Sequence, residues 1–143
     1  MKEYRKMLKI NNMEINLDDI VVITVFDNEF KIIDKNAQLV RAKSELDINK
    51  LMQYLKSRDY NNFVRLNNRI INLDYLKSSM MVDNTKTYNN FSIFISFNIP
   101  VNNKKRSCFI MNFNTLDEMK SMYSYFTNKI SEYDTKLAES VIG

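Results

Sequence analysis

The sequence predicts an α+β fold: a largely antiparallel sheet system of two ββββα repeats with two helices, the C-terminal one long. Three observations predict it. Residues 9–20, KINNMEINLDDI, are restated at residues 65–76, RLNNRIINLDYL, with six of twelve positions identical and Lys9/Arg65, Ile10/Leu66 and Ile20/Leu76 like for like. Each phrase is followed by apolar or alternating segments of strand character and then by a helical pattern. The two helical patterns also correspond, LDINKLM at 46–52 with LDEMKSM at 116–122. The offset grows from 56 residues at the first match to 70 at the second, and hairpin extensions near 85–90 and 100–105 would absorb the difference.

Residues 1–7 are a polar, basic lead-in or a short helix. Strands are expected at 8–10 and 13–16, meeting at Asn11-Asn12. Asn takes the place of Gly where the backbone needs positive φ, and this chain has one Gly, at its last position. IVVITVF (20–26) reads as a buried strand, and Asp27-Asn28 and Lys35-Asn36 turn it into strands 29–34 and 38–43. A helix is expected over 44–57, capped by Ser44 with Asp47, its apolar stripe being Ile48, Leu51, Met52 and Leu55.

The second half replays the plan, with strands at 62–66, 69–72, 75–82, 91–98 and 106–113. In FSIFISFN, Phe91, Ile93, Ile95 and Phe97 share one face. Thr115 and Glu118 form a T-x-x-E capping box for the last helix. The whole, 1–143, is expected to be a single compact domain of two similar halves, 8–58 and 62–138. In the last helix Leu116, Met119, Tyr123, Phe126, Ile130, Tyr133 and Leu137 keep 3-4 spacing for longer than one small sheet requires. Two readings of that excess stand: the helix packs along both half-sheets, or Ile130, Tyr133 and Leu137 pair with a second chain in a homodimer.

Composition excludes more than it suggests. The chain of 143 residues is 45% hydrophobic, enough for a proper core, and its formal charge is +4. It has no His and one Cys, Cys108, so zinc sites of the usual ligands and Ser-His or Cys-His relays are excluded. With one Gly, no phosphate-cradling glycine loop exists. No cofactor or metal is expected. No signal-peptide core or membrane-length run occurs, so a cytoplasmic protein without a membrane partner is expected. Twenty Asn alongside many Lys and Ile point to AT-rich coding, as in a low-GC bacterium or its virus.

One catalytic pattern qualifies on paper: Asp19 followed by Glu29-Phe30-Lys31 matches the D…ExK order of metal-dependent nucleases. Chance and an alternately charged exposed strand explain it as well, and the chain is expected not to be an enzyme. Basic residues gather at Lys2, Arg5, Lys6 and Lys9, at Arg65, Arg69 and Lys77, and at Lys104, Lys105 and Arg106 on an expected hairpin tip. Long cations at such positions reach phosphates, and neighbouring Asn67, Asn68, Asn102 and Asn103 either read base edges or make turns.

NFVRLNNRIINLDYLKS (62–78), with NLDDI (16–20) upstream, resembles the LytTR class of bacterial DNA-binding domains across about residues 15–78. That class carries a phrase close to FVR…IVNLDYIK and binds DNA through loops and strand edges. The resemblance implies that Arg65, Asn67 and Arg69 lie near DNA. The chain departs from the class in lacking one residue between FVR and IN, in carrying Asn67 where the class has His, and in its long last helix. The leading expectation is a small DNA-binding regulator acting on duplex DNA, with Arg65, Asn67, Arg69, Lys77, Lys104, Lys105 and Arg106 as contacts. The alternative is a phage or mobile-element protein-interaction module, such as an anti-CRISPR or other anti-defence inhibitor, with a protein target.

Overall fold

The computed structural model describes residues 7–10, 13–100 and 107–142, with side chains to 139. Its first half runs β1 (Met7–Ile10), β2 (Met13–Asn16), a 3-10 turn (Leu17–Asp19), β3 (Ile20–Phe26), β4 (Glu29–Asp34), β5 (Leu39–Lys43) and α1 (Ile48–Ser57). The second half repeats that order: β6 (Phe63–Leu66), β7 (Arg69–Asn72), a 3-10 turn (Leu73–Tyr75), β8 (Leu76–Asp83), β9 (Phe91–Phe97), β10 (Cys108–Phe113) and α2 (Leu116–Ile142). Every strand pairing is antiparallel. The α+β class with two helices, the last one long, therefore holds. Among the described residues each half carries five strands, because its opening phrase forms a hairpin of its own.

The repeat extends to details that the letters do not announce. The first hairpin closes at Ile10↔Met13 and the second at Leu66↔Arg69, each leaving a two-residue connection. Asn16 Oδ1 accepts from the Asp18 N–H at 2.9 Å, and Asn72 Oδ1 accepts from the Asp74 N–H at 2.9 Å. A bulge interrupts the next strand at Val21 in one half and at Lys77 in the other. A bulge admits one extra residue and turns the side chains before it to the other face. In β3 it lets Ile20, Val21, Val22 and Ile23 all be buried.

The chain divides into two compact units, Met1–Tyr75 with Ile99–Arg106, and Leu76–Asn98 with Ser107–Gly143. In the first, the second half's hairpin joins the first half's meander, giving a five-stranded sheet of order β5-β4-β3-β7-β6 beside the two-stranded β1-β2. One face carries Ile23, Phe30, Ile32, Phe63 and Ile70 against Leu51 and Leu55 of α1 and Leu8 and Ile10 of β1. Full burial of a Leu contributes about 1.5–3 kcal/mol, so two such side chains are enough to dock a helix of ten residues. The helix starts later than expected: Asp47 is the cap, accepting from the Lys50 N–H at 2.8 Å, while Ser44 accepts from the Leu46 N–H at 3.1 Å in a turn before it. A carboxylate directly before the helix reaches an N–H that Ser44 is too early to meet.

The second unit is the sheet β10-β9-β8 with α2. Thr115 caps α2 as expected, accepting from the Glu118 N–H at 3.2 Å and bonded to Glu118 Oε1 at 2.9 Å. Ile93, Ile95 and Met111 are buried on one side of the sheet, with Met119 and Phe126 of the helix, and the Tyr123 hydroxyl donates to the Ser79 carbonyl at 3.1 Å. Beyond Phe126 burial fades: Ile130 and Tyr133 are half-buried and Leu137 is 45% exposed.

Among the described residues positive φ falls at Asp27, Asn28, Ala37, Asp59, Asn67 and Asn89. Five of the six are Asn or Asp, the residues that tolerate the left-handed region when Gly is not used. Asn11 and Asn12 lie outside the described residues.

Candidate nucleic-acid interface

Strand register decides which cations meet. Arg65 pairs with Ile70, and Arg69 pairs with Leu66. Side chains directly opposite share a face, so Arg65 lies on the face of Ile70 and α1, and Arg69 on the other. The two arginines that the sequence places together are held on opposite sides of one sheet. Arg65 is half-buried, and its Nε donates to the Asn67 carbonyl at 2.8 Å while Nη1 donates to Asn49 Oδ1 on α1. It braces the β6–β7 turn against the helix. Asn67 is exposed at that turn with φ 56°, and the Asn68 carbonyl accepts from the Val25 N–H at 2.9 Å.

Arg69 begins a line that the sequence does not reveal. It pairs with Thr24, Thr24 with Lys31, and Lys31 with Arg41. Arg69, Lys31 and Arg41 therefore stand in one row across β7, β3, β4 and β5, on the face away from α1, with Thr24 between the first two. Neighbouring strands are about 4.8 Å apart, so the three cations span about 14 Å. Arg69 is half-buried, and that burial lowers its pKa from the ordinary value, although a guanidinium keeps its charge in proteins. Lys31 is half-exposed and Arg41 exposed. The adjacent row toward the β3–β4 turn is Phe26, Glu29 and Lys43. Phe26 is 64% exposed.

Lys77 is exposed at the β8 bulge, in the second unit. Lys104, Lys105 and Arg106 lie outside the described residues, as do Lys2, Arg5 and Lys6. The residues that the sequence reading missed are Lys31 as a cation of this face, Arg41 and Lys43. Their alternation within strands 29–34 and 38–43 was the available signal, but only pairing aligns them with Arg69.

The D…ExK triad is not assembled. Asp19 pairs with Lys35 at 3.1 Å, and the hydrogen bond and charge of Asp19 raise the Lys35 pKa. Ile20 faces Asp34 while Phe26 faces Glu29. Asp19 and Glu29 are therefore at opposite ends of the hairpin, about 16 Å apart at 3.3 Å per residue. Among the described residues no group of three or more potential metal ligands occurs. No helix there is long and apolar enough to cross a membrane.

The chain is similar to a solved structure described as the LytTr DNA-binding domain of a putative methyl-accepting/DNA response regulator from Bacillus cereus. The identity is 16%, the TM-score 0.48, and the match covers 87% of this chain and 94% of that one. No family model and no curated protein matches the chain.

Proposed function

We propose that this chain is a non-enzymatic DNA-binding regulator whose phosphate contacts centre on the β4–β5 side of the sheet face away from α1, the part left exposed beside the buried Val22, Val64, Leu66 and Ile71. The observation that carries the reading is the row of Arg69, Lys31 and Arg41 set up by strand register. Among the described residues no salt bridge holds Lys31 or Arg41. Both therefore keep their charge available to an outside anion. The choice of duplex DNA rests on the resemblance of residues 62–78 to the LytTR phrase, with Asn67 and Lys77 as further contacts and Lys104, Lys105 and Arg106 as a third cationic group.

The test is a titration of labelled random duplex DNA at several salt concentrations. Binding is expected to weaken as salt rises, with a log-log slope of about −0.9 for each phosphate neutralised. Arg69→Ala is expected to weaken binding more than Arg65→Ala, because Arg65 is committed to Asn49 and the turn carbonyl. Absence of binding at low salt, or wild-type affinity in both variants, overturns the reading.

One observation favours a protein target instead. On the sheet of the second unit, Met80, Phe94 and Ile110 pair across three strands on the side opposite Ile93 and Ile95, with Met80 53% and Ile110 51% exposed. An apolar row of this kind suits a protein partner.

The half-exposed stretch of α2 supports a homodimer through Ile130, Tyr133 and Leu137. Ile130→Asp is then expected to halve the mass measured by light scattering, and a monomeric wild type removes the idea.

A further inference from the structure

The repeat leaves one place unfilled among the described residues. In the first half β3 has a strand on each side, β4 and then β7, which comes from the opening hairpin of the second half. β8 is the equivalent of β3, 56 residues on and with its bulge at the matching residue, yet it pairs with β9 alone. β2 is the equivalent of β7 and pairs with β1 alone. A free edge and the strand type that fits it are both present and not joined.

Exposure follows the same difference. Ile20, Val21, Val22 and Ile23 of β3 are buried, whereas Lys77, Ser78, Met80 and Met81 of β8 are exposed, the two methionines at 53% and 43%. Ile70, Ile71 and Asn72 of β7 are buried, whereas Glu14 of β2 is exposed and Ile15 and Asn16 are half-exposed. The Ser79 carbonyl accepts from the Tyr123 hydroxyl at 3.1 Å and keeps a second lone pair for an incoming strand. An eight-residue edge strand with bare methionines is a template for strand addition.

We infer that β2 of a second copy of this chain adds to the free edge of β8, as β7 adds to β3. The inference rests on the reading of the Met80 row as a protein contact and names the protein. Register transfers with the repeat: Val22↔Ile71, Ile23↔Ile70 and Thr24↔Arg69 become Ser78↔Ile15, Ser79↔Glu14 and Met80↔Met13. Met13 then completes the apolar row of Met80, Phe94 and Ile110, as Arg69 completes the row of Thr24, Lys31 and Arg41. The flanking rows on that face, Ser78-Ser96-Cys108 and Val82-Ser92-Asn112, carry no charge, so Met13 and Ile15 dock without desolvating one. Asn72 Nδ2 donates to the Ile20 carbonyl where β7 meets β3, and Asn16 Nδ2 then donates to the Leu76 carbonyl of the second copy. The contact joins two different surfaces, so association runs head to tail.

The test is sedimentation of the full chain over a range of concentrations, where the mass of the wild type is expected to rise with concentration above the 17.1 kDa of one chain. Met13→Lys and Met80→Lys each put a charge in the junction, and each alone is expected to lose that rise; Gln replaces Lys at either position where the Lys variant does not fold. Mixing the two is expected to raise the mass toward roughly twice that of either alone, because the intact β2 of one meets the intact β8 of the other. Pairing through α2 touches neither methionine and produces no such recovery. A wild-type mass that does not change with concentration, or a mixture without recovery, overturns the inference and leaves the Met80 row open to a foreign protein. Loss of association in the Met80 variant alone also overturns it and keeps that row as a protein contact, whereas a full rise in both variants overturns both readings.

Discussion

Replacing Lys31 and Arg41 together with alanine flattens the log-log salt dependence of duplex binding by about 2, two lost phosphate contacts at about 0.9 each. At 0.1 M salt that corresponds to an affinity loss of about 60-fold, uniform across DNA sequences because phosphate contacts carry no base information. Both side chains stand on the face away from α1, so stability in urea unfolding is expected to hold within about 0.5 kcal/mol of wild type. A full-size salt slope in the double variant would show that this row does not carry the phosphates. Neither residue belongs to the group that the sequence alone nominates for DNA contact, so the experiment separates the sheet face from the turn.

Asn72→Ala is expected to be the most damaging single change for stability. The side chain is fully buried, and its amide serves three groups. Nδ2 donates to the Ile20 carbonyl at 2.7 Å, and Oδ1 accepts from Asn62 Nδ2 at 2.9 Å and from the Asp74 N–H at 2.9 Å. Truncation leaves the Ile20 carbonyl, the Asp74 N–H and one Asn62 amide proton without this partner, in or beside the core. Each unsatisfied buried group costs about 1–3 kcal/mol, so a loss of at least about 3 kcal/mol is expected in urea denaturation. Asn16 is its counterpart in the first repeat, but it is half-exposed, and among the described residues its side chain makes the local bond to the Asp18 N–H alone. Asn16→Ala is expected to cost about 1 kcal/mol, the usual effect of losing a cap. Equal losses at the two positions would sink the account, since the same residue in the same phrase would then not depend on its surroundings.

Those two asparagines mark where the sequence stops being sufficient. The sequence by itself determined the order of elements, the class, the repeat, the Thr115 cap and the use of Asn and Asp at left-handed positions. All of these are local: hydrophobic period, cap chemistry and turn stereochemistry act over a few residues, and the letters within that window specify them. Even the cap of α1 failed only locally, Asp47 in place of Ser44.

Cross-strand register is not local. The sequence placed Arg65 and Arg69 together because they are close in the chain, yet side chains alternate along a strand and the hairpin turn sets the two on opposite faces. It left Lys31 in a nuclease pattern with Asp19, whereas antiparallel pairing holds Asp19 at the far end of the hairpin and lines Lys31 up with Arg41 and Arg69. The joining of β7 to β3 also made Asn72 a buried hub while Asn16 stayed near the surface. Tertiary structure alone decided which face each cation occupies, because that depends on pairings between segments about 45 residues apart (Thr24 with Arg69), and no local window contains both partners.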